Sequence, residues 1–326
     1  MRSKAEMAGK YFVGIDLGGM SAKAGLFDDA GKLIVKDTVK TSKEEGYAAT
    51  VTNLAELVKK VCEKGKVPFA SLCGVGVGSP GIINGKDGIV LSWTNFGWEN
   101  KNLAADLSEK LNGLNVKISN DANAAALGEA RFGAGKKYEN SIFITLGTGV
   151  GSGIILGGKI FEGFRGGAAE AGHMTLVVGG IPCPCGRRGC FEQYASASAL
   201  IRDTKRAMFE HKDSSMWKLA GSPEQVDGRT AFTAAKEGDL AARDVVKNYI
   251  MYLSEGILNL VNLFRPQAII VGGGVSGEGD YLLQPVRRYV DEHLFVGFDR
   301  IPLAIVRADL GNDAGMWGAC ALVLDD

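Results

Sequence analysis

Apolar and polar residues alternate with a period of two between residues 11 and 39. Strict alternation is typical of strands that bury one face. The pattern predicts three antiparallel strands, YFVGID, SAKAGLFD and KLIVKDTV, joined by turns at Gly18-Gly19 and at residues 28–31. A helix is predicted next, from about Tyr47 to Lys64, because its apolar residues recur on one face.

The middle of the chain continues with a buried strand, LCGVGVGS, and a helix near residues 103–111. The strand VKIS then leads directly into an alanine-rich segment that ends at Gly133. Because Asn and Asp are favoured helix N-caps, this segment is predicted to be a helix capped by Asn120 or Asp121.

Residues 141–161 repeat the opening pattern of strand, glycine-rich turn, strand, turn and strand. The same order of elements at two places predicts two related halves of β-β-β-α type. The remaining pattern predicts helices, a polar surface connection over residues 212–229, two strands and a closing helix. The helices are Ala197–Glu210, Thr230–Glu237 and Leu240–Phe264; the strands are QAIIVGG and IPLAIVRAD; the last helix is capped near Asn312.

The composition describes a soluble globular protein with two domains. The chain has 326 residues, 46% hydrophobic and 23% charged, and a formal net charge of zero. It therefore has no electrostatic reason to bind nucleic acid or an anionic membrane, and a small molecule is the expected partner. Six cysteines and no apolar leader indicate a reducing, cytoplasmic setting, in which Cys62, Cys73 and Cys320 are expected to be small core residues.

One histidine and three cysteines are spaced as a metal clip over residues 173–190. His173, Cys183, Cys185 and Cys190 would fill the four tetrahedral positions that zinc prefers, so the metal would be structural. Three reduced cysteines beside an unrelated histidine are the alternative.

Three glycine turns each follow a predicted strand, at Gly18-Gly19, at residues 147–149 and at residues 272–274. Backbone N–H groups in such turns can approach a polyphosphate, although any single tight turn also favours glycine. Residues 272–277 also satisfy GxGxxG, but Pro285 argues against the helix that a dinucleotide-binding unit needs, so we interpret that match as accidental.

Two aspartates end strands where open α/β sheets bind their ligands. Asp121 is a candidate base for phosphoryl transfer and Asp16 a candidate magnesium partner; the alternatives are a helix N-cap and a turn residue. Side chains suited to sugar hydroxyls lie on predicted loops: Asn95, Asn120, Glu170, His173 and Glu192. Trp93 and Trp98 could wall such a site or belong to the core.

Several motifs together resemble the ROK family of bacterial sugar kinases and repressors, within the actin-like ATPase superfamily. They are GIDLGG, GVGSPG, NDANAAALGE, TLGTGVGSGI, AAEAGHM, CPCGRRGCFEQYAS and GNDAG, and TNFGW resembles a segment of the family's glucokinases. The resemblance implies a two-lobed α/β fold of the ribonuclease H-like type with duplicated β-β-β-α-β-α halves and a central cleft. The implied lobes are residues 1–118, with the helix 312–326 packed back on them, and residues 119–311.

The resemblance also implies roles for individual residues, and a homodimer or homotetramer. Asp121 would take the proton from the 6-hydroxyl of a hexose. The hexose would be held by Asn95, Asn120, Asp121, Glu170, His173 and Glu192. The ATP side, with Mg²⁺, would involve Asp16, Gly18, Gly19, Lys23, Thr148, Gly149 and Gly273. Structural Zn²⁺ would be held by His173, Cys183, Cys185 and Cys190.

The sequence therefore predicts an ATP-dependent hexose kinase, with glucose as the first candidate for its substrate. Mannose, allose, fructose, N-acetylmannosamine and N-acetylglucosamine are alternatives. A sugar-responsive regulator is the rival class; such regulators carry a helix-turn-helix ahead of the first strand, whereas ten residues precede Tyr11 here. Met20 departs from the family pattern, in which threonine usually follows DLGG.

Overall fold

The computed structural model describes residues 9–41 and 43–324 of the chain. The strands are β1 (Tyr11–Leu17), β2 (Ser21–Asp28), β3 (Leu33–Lys40), β4 (Leu72–Ser79), β5 (Ile82–Asn84), β6 (Ile89–Trp93), β7 (Trp98–Lys101), β8 (Asn115–Asn120), β9 (Ser141–Leu146), β10 (Val150–Leu156), β11 (Lys159–Ile160), β12 (Ala268–Gly272) and β13 (Ala304–Arg307). The α-helices are α1 (Gly46–Lys64), α2 (Leu103–Lys110), α3 (Asp121–Phe132), α4 (Glu192–Ala195), α5 (Ala197–Glu210), α6 (Met216–Ala220), α7 (Thr230–Lys236), α8 (Leu240–Phe264), α9 (Asp280–His293) and α10 (Ala314–Leu324).

The first five-stranded sheet has the order β3-β2-β1-β4-β8. Strand β2 is antiparallel to both β1 and β3, as the alternation of the sequence predicts. Strands β4 and β8 run parallel to β1, so β1, β4 and β8 end at the same edge of the sheet. That edge carries Asp16 near the end of β1 and Asn120 at the end of β8.

The second five-stranded sheet has the order β11-β10-β9-β12-β13. Strands β10 and β11 are antiparallel, and β12 is parallel to both β9 and β13. Strand by strand, this is the order of the first sheet. The predicted repeat of one β-β-β-α pattern is therefore confirmed. A separate three-stranded antiparallel sheet has the order β5-β6-β7.

Contacts divide the described residues into two compact units. The first contains the residues up to Glu139, Gly153–Ala169 and the residues from Asp309 onward; the second contains Asn140–Ser152 and Glu170–Ala308. The two units do not meet at the single boundary between residues 118 and 119 that the family resemblance implies. The reason is that α3, which follows that boundary, packs against α10 and stays in the first unit.

Two glycines allow α3 and α10 to cross in close contact. A Cβ on Gly318 would lie 1.6 Å from the carbonyl oxygen of Ala124, and one on Gly128 would lie 2.4 Å from that of Ala314. No side chain fits at either position without moving a backbone. The crossing fixes the start of α3, where Asp121 lies, relative to α10 within the same unit.

Two predictions from the helix pattern are wrong. Helix α9 forms across Pro285 because Leu282, Leu283, Val286 and Val290 make a buried face, which outweighs the hydrogen bond that proline cannot donate. A helix is therefore present after residue 277, contrary to the prediction, and β12, α9 and β13 form a parallel βαβ unit. The expected surface connection likewise contains α6, anchored by the fully buried Met216.

The three cysteines outside the metal motif differ in burial. Cys62 and Cys320 are buried, as expected, but Cys73 is exposed because alternate side chains of a strand point to opposite faces. Among residues 9–41 and 43–324, no helix has both the length and the apolar character needed to cross a membrane.

Candidate functional site

The first part of the site is the junction of β8 and α3 in the first unit. Asn120 ends the strand in an extended conformation, and its Oδ1 accepts hydrogen bonds from the N–H groups of Ala122 at 2.9 Å and Asn123 at 3.3 Å. The helix cap is therefore Asn120. Its Nδ2 donates to the carbonyl oxygen of Gly81 at 3.0 Å, and a hydrogen bond from the same side chain to Asp121 lowers the pKa of that carboxyl.

Asp121 is the first residue of α3, and its Oδ1 accepts from the N–H of Ala122 at 2.9 Å. Burial raises the pKa of Asp121 above its ordinary value, while hydrogen bonds to the carboxylate oppose the rise. A carboxylate with a raised pKa binds a proton more readily than an exposed one. Asp121 thus has the chemistry of a general base.

Asp16 lies near the end of β1, on the same edge of the sheet. Burial raises its pKa to about 6, and the negative charge of Asp121 adds to the rise. A divalent cation bound at this edge would offset the unfavourable burial of the Asp16 carboxylate beside the negative charge of Asp121. The donor set fits Mg²⁺, which prefers hard oxygen ligands.

Lys23 pairs with Asp16 across the β1–β2 ladder. Its Nζ donates to the carbonyl oxygen of Asn312 at 2.7 Å and to Oδ1 of Asp313 at 2.9 Å. The other carboxylate oxygen of Asp313 accepts from Lys36 at 2.6 Å. Lys23 is therefore anchored by the segment before α10, and its positive charge opposes the rise of the Asp16 pKa.

The turn between β1 and β2 contains Gly18, Gly19 and Met20. The N–H of Gly18 donates to the carbonyl oxygen of Ser21 at 2.9 Å, and the carbonyl oxygen of Gly18 accepts from Oγ1 of Thr41 at 2.7 Å. Met20 is 86% exposed. Hydrogen bonds within its own backbone and from Thr41 therefore hold the turn. The side chain of Met20 is not part of the core.

Asn95 lies in a short 3₁₀ helix, Thr94–Phe96, and its side chain is exposed. Trp93 and Trp98, on either side of it, are buried. Trp93 stacks on Phe96 with centroids 3.9 Å apart, and Trp98 meets Trp93 edge-on at 4.9 Å. Of the two roles considered for these tryptophans, the core role is the one observed. The aromatic cluster supports the loop that presents Asn95.

In the second unit, the turn from β9 to β10 contains Thr148 and Gly149. A Cβ on Gly149 would lie 2.7 Å from Oε2 of Glu192, so the glycine makes room for that carboxylate. The carbonyl oxygen of Gly147 accepts from the N–H of Ala197, at the start of α5, at 2.8 Å. The structure therefore brings the second glycine turn and Glu192 together.

Gly273 follows β12 with a φ of 79°, in the region that favours glycine. A Cβ there would lie 2.5 Å from the backbone nitrogen and oxygen of Leu146, at the end of β9. Ser276 donates from its Oγ to the carbonyl oxygen of Gly273 at 2.7 Å. The third glycine turn is thus packed against the strand that leads into the second.

The four residues of the expected zinc clip come together in the second unit. One possible ligand atom from each of His173, Cys183, Cys185 and Cys190 lies within 4.8 Å of every other. Sγ of Cys183 is 3.7 Å from Nδ1 of His173, and Sγ of Cys185 is 3.7 Å from Sγ of Cys190. A tetrahedral zinc site requires ligand separations of roughly 3.6–3.8 Å. The residues therefore fit zinc.

The clip joins the segments that carry Glu170 and Glu192. The N–H of His173 donates to the carbonyl oxygen of Glu170 at 3.0 Å, and Glu170 itself is exposed. Oε1 of Glu192 lies 3.2 Å from Sγ of Cys183. Because Nδ1 of His173 faces the thiols, Nε2 is the ring nitrogen that can reach a further ligand.

Sequence reasoning assigned no site role to Asp313 and Gly315 at the Asp16 edge, or to Glu129 farther along α3. Asp313 anchors Lys23, and a Cβ on Gly315 would lie 2.9 Å from Cγ of Asp16. Glu129 is completely buried although it is charged. A glutamate inside an alanine-rich helix was the available signal, since buried charges are rare unless they are paired.

Known proteins match this chain over nearly its full length. The family model described as the ROK family matches residues 12–326. A glucokinase of Halalkalibacterium halodurans is 38% identical over 319 residues, which cover 97% of this chain and 96% of the relative. A xylose repressor of Caldicellulosiruptor bescii is 32% identical over 96% of this chain and 78% of the repressor.

Among solved structures, a ROK family glucokinase from Streptomyces griseus, in complex with glucose and AMPPNP, matches with a TM-score of 0.81. It is 36% identical, and the match covers 97% of this chain and all of that one, 100%. This likeness confirms the expected actin-like ATPase class of fold. The chain therefore belongs to the ROK family.

Proposed function

We propose that this protein is an ATP-dependent glucokinase, which transfers the γ-phosphoryl group of ATP to the 6-hydroxyl of glucose. The observation that carries the proposal is the buried Asp121 carboxylate at the start of α3, whose pKa is raised, next to Asp16 at the same sheet edge. The sequence match to a glucokinase along 96% of that enzyme's length supports the substrate.

In the proposed reaction, Asp121 accepts the proton of the 6-hydroxyl as the oxygen attacks the γ-phosphorus. The bond between the γ-phosphorus and the bridging oxygen breaks, and ADP leaves with that electron pair. Asn120 orients Asp121 by capping the same helix turn. Positioning and proton acceptance are therefore the contributions of these two side chains.

Asp16 is the proposed partner of Mg²⁺, directly or through water, and the bound cation would neutralise charge that develops on the phosphates. The glycine turns are proposed to contact the nucleotide, through Gly18, Gly19, Thr148, Gly149 and Gly273. Lys23 is proposed to face the same nucleotide while it is anchored on Asp313.

Sugar recognition is proposed for Asn95, Asn120 and Asp121 of the first unit and for Glu170, His173 and Glu192 of the second. In the second unit, a zinc ion held by His173 and the three cysteines would cross-link the loop that carries these groups. With Nδ1 of His173 on the metal side, Nε2 carries a hydrogen and donates to a sugar hydroxyl. The finer expectations of a cytoplasmic location and of a homodimer or homotetramer stay predictions.

A sugar-responsive regulator is the second candidate, because a xylose repressor is 32% identical over 96% of this chain. The chain spans 78% of that repressor and 96% of the glucokinase. The two candidates differ in turnover, since a regulator would bind sugar without consuming ATP.

The test is an ADP-release assay on the purified protein with a panel of hexoses and N-acetylhexosamines. We expect glucose to give the highest kcat/KM. A different preferred sugar would refute the substrate, and the absence of turnover with any sugar would refute the kinase.

The matched variants for this assay are Asp121→Asn and Asp29→Asn. Removing the base is expected to lower kcat by about 10²–10⁴ with little change in KM for glucose. Asp29 is an exposed residue in the turn after β2, so its substitution should leave both constants unchanged.

A further inference from the structure

Glu129 lies on α3, about two helical turns after Asp121. Its side chain is 0% exposed. Among the described residues, its carboxylate accepts from three backbone N–H groups: Oε2 from Ala134 at 2.9 Å and Asp309 at 3.1 Å, and Oε1 from Leu310 at 2.7 Å. A buried carboxylate with several backbone donors is a strong and directional link.

Two of these donors belong to the segment that runs into α10. Immediately after Leu310 come the 3₁₀ helix Gly311–Asp313 and the start of α10. This segment touches both charged groups at the edge of the first sheet. Asp313 and the carbonyl oxygen of Asn312 hold Lys23, and Gly315 lies against Asp16.

We propose that Glu129 is a positioning residue for the nucleotide site. It fixes residues 309–315, and through them it fixes Lys23 and Asp16, which face each other on β1 and β2. The ligand served is a nucleoside polyphosphate with a divalent cation. The inference rests on the proposed function, because that proposal assigns Lys23 and Asp16 to MgATP.

A neutral side chain cannot replace this link. Glutamine has one carbonyl oxygen, whereas three N–H groups converge on two oxygens of Glu129, so at least one donor would face an NH₂ group. Gly133 limits the space as well. A Cβ there would lie 2.0 Å from Oε2 of Glu129. Gly133→Ala therefore displaces the carboxylate without removing its negative charge.

The experiment measures the affinity for MgADP by calorimetry without sugar, and KM for ATP and for glucose, in Glu129→Gln and Gly133→Ala. We expect both variants to bind MgADP about tenfold more weakly and to raise KM for ATP similarly. KM for glucose should stay within about twofold, because neither substitution alters the hydrogen bonds that hold Asn120 and Asp121, which are made to Gly81 and Ala122. A purely structural role would lower stability without this selective change.

Two control variants match the chemistry of the substitutions. Glu56→Gln removes an exposed carboxylate from α1, and Gly228→Ala adds a Cβ whose nearest neighbour lies 4.0 Å away. Both should bind MgADP like the wild type. Gly133→Ala decides the matter alone if Glu129→Gln does not fold.

Unchanged MgADP affinity in the folded variants overturns the inference, as does a rise of KM for glucose equal to the rise of KM for ATP. The binding measurement separates this failure from failure of the proposed function. A wild-type protein that binds MgADP but phosphorylates no sugar refutes the kinase, and the variants still test Glu129. A wild-type protein that binds no MgADP refutes both.

Discussion

Gly315 packs closely against the carboxyl group of Asp16. A Cβ on Gly315 would lie 2.9 Å from Cγ of Asp16 and 3.0 and 3.1 Å from its two oxygens. Both residues belong to the first unit, Asp16 near the end of β1 and Gly315 in the first turn of α10. The glycine therefore decides where the Asp16 carboxylate can lie.

Gly315→Ala tests whether that location matters for catalysis. Alanine in place of a helical glycine normally stabilises a protein by up to about 1 kcal/mol. Here the added methyl group must displace the Asp16 carboxylate, so we expect KM for MgATP to rise about tenfold while the melting temperature changes little. Steady-state kinetics at several Mg²⁺ concentrations measure the effect. An alanine variant with wild-type Mg²⁺ dependence would contradict the role of Asp16.

Asp16 is also expected to cost stability at neutral pH. Its pKa is raised from 3.8 to about 6 in the folded protein, so the folded state holds the proton more tightly than the unfolded state does. The free energy of unfolding should therefore fall as the pH rises from about 4 to about 6. Asp16→Asn should remove this loss and stabilise the protein at pH 7 by on the order of 1–3 kcal/mol, with no gain below pH ~4.

Urea unfolding of the wild type and of Asp16→Asn at both pH values measures that difference. Asp29→Asn, at an exposed turn, should leave the free energy of unfolding unchanged at either pH. Equal stability of Asp16→Asn and wild type at pH 7 would show that burial of Asp16 is relieved in solution. The same variant should lose activity, because Asp16→Asn removes the negative charge that is proposed to bind Mg²⁺. Gains in stability at functional positions commonly have this cost.

Local sequence signals predicted much of the fold and part of the site. The period of two predicted the β1–β2–β3 meander, and the glycine turns in matching order predicted the second sheet. The spacing of His173, Cys183, Cys185 and Cys190 predicted a cluster that the structure brings together. These features succeeded because each is determined within a few residues of chain.

Other features depend on residues far apart in sequence. Nothing local shows that Lys23 is anchored on Asp313, 290 positions later, or that Glu129 receives N–H groups from Asp309 and Leu310. Pro285 was a misleading local signal, because the helix that contains it is stabilised by the face it buries. These contacts and this helix depend on tertiary packing, so local sequence propensity could not predict them.

Cys183→Ser tests the proposed zinc clip. The purified wild-type protein should contain about one zinc per chain, and the variant should lose it because one of four ligands is gone. Oε1 of Glu192 lies 3.2 Å from Sγ of Cys183, and the carbonyl oxygen of Glu170 accepts a hydrogen bond from the N–H of His173. Loss of the metal should therefore displace these proposed sugar-binding residues, and KM for glucose should rise more than KM for ATP. Metal analysis and steady-state kinetics on the same samples measure both effects.

Cys73→Ser is the matched control for that variant, since Cys73 is an exposed cysteine outside the cluster. It should retain zinc and both KM values. A wild-type protein without zinc, or loss of zinc from both variants alike, would mean that the four residues do not hold the metal.

Met20 offers the last test, at the first glycine turn. Its side chain is 86% exposed, so a substitution there disturbs no packing. Met20→Thr adds a hydroxyl that can donate to phosphate, and a neutral hydrogen bond of about 0.5–1.5 kcal/mol corresponds to a KM for ATP about two- to tenfold lower. Met20→Leu has a similar size and no donor, so it should leave KM for ATP unchanged. If threonine and leucine lower KM equally, the gain does not come from a hydrogen bond, and the turn does not contact the phosphates through this position.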